Sequence, residues 1–169
     1  LACRHCRAGA MPDPPPGELT PEEGLRFVRQ LAGFGDPPPS LILTGGDPLL
    51  RRDLFAVIDE ARMLGIPVSI TPAATPLLTH HMLSRLVAHG VDGLGLSLDG
   101  STAARHEGIR NVPGCFDLTT QAMAWAAELG MPIQVNTLVA AETADDLPAV
   151  YALLRERPGV VRWSLFFLI

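Results

Sequence analysis

Two cysteines, Cys3 and Cys6, stand at Cys-x-x-Cys spacing near the start of the chain, and an apolar run further on closes with Thr44-Gly45-Gly46-Asp47-Pro48. A thiolate pair at that spacing holds a metal or an iron–sulfur cluster, or cycles as a dithiol. Structural zinc takes four protein ligands. The one further cysteine, Cys115, is isolated, and the five histidines show no paired finger spacing, so zinc is disfavoured. A thioredoxin-like dithiol opens a helix directly after a strand. Here a proline-rich stretch over residues 12–16 separates the cysteines from the first predicted helix. In Gly45-Gly46-Asp47-Pro48 the adjacent glycines let backbone approach a ligand closely, and an acidic residue held by the following proline can receive a cation such as an amino group. A tight strand-to-helix turn with a helix-capping aspartate accounts for the same residues.

The elements that position these groups alternate. Thr20-Pro21-Glu22-Glu23 combines an N-cap, a proline in the first turn and a capping box, and it predicts a helix to about residue 33. A strand over 41–44 follows the breaker Asp36-Pro37-Pro38-Pro39. The alternation repeats as a helix through Leu54, Val57, Ile58 and Leu64, a strand over 68–71, a helix through Met82, Leu83, Leu86 and Val87, and a strand over 94–98. A helix over about 118–129, a strand over 133–138, a helix over about 147–155 and a strand from 160 complete it. Strand starts near 41, 67, 94, 133 and 160 have the spacing of βα units in a parallel sheet or barrel. Only the unit before 133 is long, which marks its extra residues as functional candidates.

Strand parity adds to this, because side chains alternate between the faces of a strand. Leu94, Leu96 and Leu98 oppose Gly93, Gly95, Ser97 and Asp99; Val68 and Ile70 oppose Ser69 and Thr71; Ile133 and Val135 oppose Gln134 and Asn136. A packed eight-stranded barrel fills its interior with branched apolar side chains. A polar or small inner face instead implies a ligand-filled lumen, with a one-sided polar sheet in an open fold as the alternative. Ligands of parallel α/β folds sit at the C-terminal strand ends, where Gly45, Gly46, Asp47, Thr71, Ser97, Asp99 and Asn136 share one rim.

Composition narrows the partners. A net charge of −5 and a pI near 5.4 provide no electrostatic footprint for nucleic acid or an anionic membrane. No apolar stretch reaches the roughly 18 residues that span a bilayer, and three cysteines do not build a disulfide framework. A cytoplasmic location is expected. Lysine is absent, which disfavours a Schiff-base aldolase barrel that would use Gly45-Gly46 as an anion cradle. The chain begins at Leu1 and ends in an apolar run over 163–169, so both ends are expected to be cut from a longer protein.

Taken together, these residues resemble the core of a radical SAM enzyme, over essentially the whole chain. Leu1-Ala2-Cys3-Arg4-His5-Cys6-Arg7 is similar to the second half of that family's CxxxCxxC signature, whose first cysteine would fall upstream. Thr44-Gly45-Gly46-Asp47-Pro48 is similar to its Gly-Gly-Glu-Pro motif, with Asp for Glu. Leu96-Ser97-Leu98-Asp99-Gly100, His106-Glu107-Gly108-Ile109-Arg110 and Pro113-Gly114-Cys115-Phe116 resemble the fourth-strand segment of members with a C-terminal SPASM-type extension, among them peptide maturases and haem-modifying enzymes.

The resemblance implies a partial (β/α)6 TIM-like barrel of parallel strands. It implies a 4Fe-4S cluster held by Cys3, Cys6 and an upstream cysteine, and S-adenosylmethionine chelated on the open iron. Reductive cleavage then yields methionine and a 5′-deoxyadenosyl radical, which abstracts hydrogen from an enclosed substrate. An external electron donor such as flavodoxin or ferredoxin, and a peptide or small-molecule cofactor-precursor substrate, are the implied partners. Gly45, Gly46 and Asp47 are expected to meet the methionine amino group mainly through backbone. Ser97 and Asp99 are expected near the ribose or the methionine moiety, Thr71, Gln134 and Asn136 to face the cofactor, Arg110 to lie near its carboxylate, and His5 beside adenine. His80, His81 and His89 read as helix-surface residues, Cys115 as a small loop or partly buried thiol, and Trp125, Trp163, Phe166 and Phe167 as core. A non-catalytic metal-binding or interaction module that keeps the barrel is the alternative from a different class.

Overall fold

The computed structural model describes residues 17–167. Five parallel strands, β1 (Leu41–Leu43), β2 (Val68–Ile70), β3 (Gly93–Ser97), β4 (Ile133–Val139) and β5 (Val160–Phe167), lie side by side in chain order. Strictly sequential order is the connectivity of an α/β barrel; a doubly wound sheet reverses direction partway. The helices between them are α1 (Pro21–Leu31), α2 (Leu54–Met63), α3 (His80–Ala88), α4 (Ala103–Arg110), α5 (Cys115–Glu128) and α6 (Leu147–Arg155). Short 3-10 turns cover Pro48–Leu50 and Ala144–Asp146.

Local chemistry sets the helix starts. At α1 the Thr20 hydroxyl accepts from the Glu23 N–H at 3.3 Å, and the Glu23 carboxylate accepts from the Thr20 N–H at 2.9 Å, the reciprocal pair the sequence predicts. The Thr79 hydroxyl caps α3 by accepting from the Met82 N–H at 3.1 Å.

One apolar core joins Val68, Ile70, Leu94, Leu96, Ile133 and Val135 of the strands to Val28, Ile58, Leu83, Leu86, Met123 and Val150 of the helices. Each such fully buried aliphatic side chain contributes about 1.5–3 kcal/mol by leaving water. The alternate strand residues face away from the helices: along β4, Ile133, Val135, Thr137 and Val139 are buried while Gln134, Asn136 and Leu138 are half-buried. The predicted parity therefore holds along β4, and the described helices pack on its apolar face; on β3 the predicted open-face residue Gly95 is buried, because Thr71 lies over it. No helix among the described residues is long and apolar enough to cross a membrane.

Three details differ from expectation. The long unit before β4 contains an additional helix, α4, where no periodicity announced one, and α5 starts at Cys115, so this buried thiol is helical. Phe166 and Phe167 are 53% and 69% exposed, whereas Trp125 and Trp163 pack against the core. The reason is position: β5 is the last strand of the sheet, and beyond it no described element covers its far end.

Candidate active site

The C-terminal strand ends carry the groups that the sequence singles out. After β1 the chain turns through Gly45, at φ +137°, a left-handed value that excludes a side chain without strain. A Cβ built on Gly45 or Gly46 meets nothing within 4 Å among the described residues, so none of these crowds this stretch of backbone. The Asp47 side chain does not share that space. Its Oδ1 accepts from the Leu49 N–H at 3.1 Å and caps the Pro48–Leu50 turn, while Oδ2 accepts from the Thr75 hydroxyl at 2.8 Å. Asp47 thus ties the loop after β1 to the loop after β2, and the short carboxylate is the length the cap needs.

Across the sheet, register aligns the polar face. Ser69 pairs with Gly93, Gly95 with Gln134, Ser97 with Asn136, Gln134 with Arg162 and Asn136 with Ser164. Gln134 donates from Nε2 to Asn136 Oδ1 at 2.9 Å. Thr71, just past β2, donates its N–H to the Leu43 carbonyl at 2.8 Å, and its side chain lies over Gly95. The Ser97 hydroxyl has no hydrogen-bond partner among the described residues.

Past β3 the environment changes from open to buried. Asp99 is 2% exposed, and both of its carboxylate oxygens are engaged: Oδ1 accepts from the Leu138 N–H at 2.8 Å, and Oδ2 accepts from Arg110 Nε at 2.5 Å. Arg110 is the last residue of α4, so the helix that the sequence reading missed is the element delivering it. His106, one turn earlier and 1% exposed, accepts at Nδ1 from the Asp99 N–H at 3.0 Å. Burial pushes the His106 imidazole down to about 4, with Asp99 and Glu107 opposing and Arg110 reinforcing, so the ring is neutral at neutral pH. Since Nδ1 accepts, the proton of that neutral ring is on Nε2.

The loop before α4 is fastened to the far side of the rim. Ser101 donates its N–H and hydroxyl to Asp146 at 2.6 and 2.7 Å, and Arg105 forms a bidentate pair with Asp145. A cavity of about 190 Å³ lined by Asp99, Arg105, Gly108, Ile109, Glu142 and Thr143 lies between these segments.

The structure therefore brings Asp99 and Arg110 together as an ion pair, joins Gln134 to Asn136, and sets Thr71 and Ser97 on the same open face. Gly45, Gly46 and Asp47 occupy the rim at the β1 end. Cys3, His5 and Cys6 lie outside the described residues. No cluster of metal-ligating side chains occurs among the described residues. His80 and His89 are surface residues, 3.7 Å from Glu128 and 2.6 Å from Asp59 respectively. His106 is the residue that sequence reasoning missed; its three-residue spacing from Ile109, the other buried position of α4, is the available signal.

Residues 1–154 match the family model described as the radical SAM superfamily. The chain is 34% identical over its whole length to the AdoMet-dependent heme synthase of Nitratidesulfovibrio vulgaris, covering 45% of that protein. It is 28% identical over 138 residues to the PqqA peptide cyclase of Rhizobium meliloti, covering 82% of this chain and 36% of that one. Among solved structures, native anSMEcpe with bound AdoMet superposes with a TM-score of 0.77 at 19% identity, covering 98% of this chain and 48% of the other, a likeness of fold. The chain thus spans less than half the length of these relatives. A sequential parallel sheet, a Gly-Gly edge after β1 and a family match over most of the sequence lead to one conclusion: this chain belongs to the radical SAM superfamily.

Proposed function

We propose that this chain is the core of a radical SAM enzyme acting on a peptide or a tetrapyrrole-type cofactor precursor in the reducing cytoplasm. The observation that carries the reading is the pairing, on one rim, of a Gly45-Gly46 backbone edge that no described residue crowds with an arginine fixed by a buried aspartate. These features suit an amino-acid-bearing cofactor. Backbone carbonyls on that edge accept from an ammonium group, and the Arg110 fork complements a carboxylate. When bound, a 4Fe-4S cluster on Cys3, Cys6 and an upstream cysteine, with S-adenosylmethionine, supplies a one-electron reductive cleavage to methionine and a hydrogen-abstracting 5′-deoxyadenosyl radical.

The chain's own residues do the positioning. Asp47 holds the β1 loop through Thr75 and its own cap, which keeps the Gly45-Gly46 backbone in place. Asp99 orients Arg110 while its Oδ1 stays on the Leu138 N–H. Thr71, Ser97, Gln134 and Asn136 offer hydroxyl and amide groups to ribose and base across the sheet, and His5 is assigned to the adenine. An external flavodoxin or ferredoxin supplies the electron. The choice of substrate class rests on the relatives named for haem synthesis and for cyclisation of the PqqA peptide.

Anaerobic iron–sulfur reconstitution of the full-length protein tests the reading, followed by EPR of the reduced form with and without S-adenosylmethionine. A reduced 4Fe-4S signal that shifts on adding S-adenosylmethionine, and is lost in C3A and C6A, is the expected result. A cluster blind to S-adenosylmethionine, or a protein that binds only zinc, overturns it.

A further inference from the structure

His106 is a fully buried polar side chain in a helix with few core contacts. Of the eight residues of α4 only His106 and Ile109 are buried, and an apolar residue would fill the space without a polar nitrogen to satisfy. What the imidazole contributes that an apolar side chain cannot is an acceptor for the Asp99 N–H, at the point where β3 has ended and the backbone has left the sheet ladder.

The two contacts of α4 on Asp99 are linked by helix geometry. His106 and Arg110 stand four residues apart, hence on one face of the helix, one above the other. His106 takes the main-chain N–H of Asp99 and Arg110 takes its carboxylate, so the helix grips one residue at two points. The approach is close. A Cβ on Gly100 would stand 2.6 Å from both the Arg105 Cβ and the His106 main-chain nitrogen, so nothing larger than glycine fits between the strand end and α4. Glu107 fastens the other side of the helix by accepting the Gly114 N–H at 2.8 Å, at the start of α5.

We infer that His106 is a positioning residue: through the Asp99 N–H it fixes the Asp99 carboxylate, and through that carboxylate it sets the Arg110 guanidinium for the carboxylate of the bound cofactor. The inference rests on the assignment of Arg110 under Proposed function. It goes beyond that assignment by naming a residue that touches no ligand and nonetheless governs cofactor affinity. The neutral Nε2–H tautomer is required, because a proton on Nδ1 removes the acceptor.

The test uses the full-length, cluster-reconstituted protein and three variants. H106L fills the site but deletes the acceptor; H106N places an amide oxygen near the position of Nδ1; H106Q reaches past it. The dissociation constant for S-adenosylmethionine is read from the EPR titration, alongside cluster iron content and melting temperature. Long-range 1H–15N correlation on the unmodified protein reports the tautomer of His106. The expected result is affinity weakened by about tenfold in H106L and H106Q at unchanged iron content, as for other outer-shell orienting residues. H106N should recover most of it, and the native spectrum should show an unprotonated Nδ1. H106L or H106Q binding as tightly as the native protein overturns the inference, as does a protonated Nδ1. Variants that lose stability alike, with H106N no better at binding than H106Q, show a packing role and also overturn it. If H106L does not fold, the H106N and H106Q comparison decides. R110Q separates the two claims: native-like affinity in R110Q removes the assignment of Arg110 and this inference with it. Weakened R110Q beside native-like H106L removes the inference alone.

Discussion

Gly95 exists so that Thr71 can stand on the sheet: a Cβ at position 95 would lie 3.1 Å from the Thr71 Cβ and closer still to its hydroxyl. The missing side chain on β3 is therefore the seat of a side chain from β2. G95A forces Thr71 out of place. Overpacking of this kind costs about 1–3 kcal/mol, so the expected outcome is a lower urea midpoint together with weaker S-adenosylmethionine binding. T71A in the same background should relieve the stability loss but leave binding impaired.

Asp99 is the residue whose removal should be felt most. D99A deletes the acceptor of the Leu138 N–H and the partner of Arg110 in one step. Breaking a buried pair from one side costs about 3–5 kcal/mol, and equilibrium denaturation should return a loss of that order. D99N keeps a carbonyl oxygen for Leu138 and should lose distinctly less stability, while binding S-adenosylmethionine nearly as poorly as D99A.

Stability should fall with acid through His106. The unfolded chain takes up a proton near the ordinary histidine value of 6.5, whereas the folded ring resists protonation to about 4. The stabilisation is thus fully present above pH 6.5 and is withdrawn as pH drops toward 4, a loss on the order of 3 kcal/mol in all. Asp99, Glu107 and Arg110 are the charged groups that act on the ring. Subtracting the pH profile of H106N from that of the native protein isolates the histidine, and the difference should grow steadily between pH 6.5 and 4.5.

Adjacent aspartates should behave differently. Asp145 pairs with Arg105 at the surface, where the guanidinium holds its carboxyl below the ordinary range by hydrogen bonding and charge, yet solvent screens the pair. D145A should leave the denaturation midpoint close to that of the native protein. Asp146 is 7% exposed and takes both donors of Ser101. D146A leaves those donors without their acceptor and should cost about 1–3 kcal/mol, read as a shift in denaturation midpoint.

Much of the architecture was legible in the sequence because it rests on local rules. The capping box at Thr20 and the alternation along β4 depend on neighbours within a few residues, and both stand in the structure as expected. α4 was not legible. Its residues carry two buried positions, a glycine at 108 and no apolar stripe, so it is held by capping at Thr102, a left-handed Asn111 and tertiary contacts. The same limit explains the site. The spacing of Ser97 and Asn136 shows through parity, but the use of Asp99 depends on Leu138 and His106, which contact it only once β4 and α4 are in place.

The polar face of the sheet carries one further consequence. Ser97 has no partner of its own among the described residues, and no described residue crowds the Gly45-Gly46 edge, so none of them stands between these groups and a ligand. Such a surface makes the fold a sensor of its own occupancy: ligand that binds only the native state adds RT ln(1 + [L]/Kd) to stability, about 2.7 kcal/mol at a hundredfold excess over Kd. The melting temperature of this chain is accordingly a concentration gauge, and a thermal shift screen across adenosyl compounds would read the occupancy of that face directly, with no turnover required.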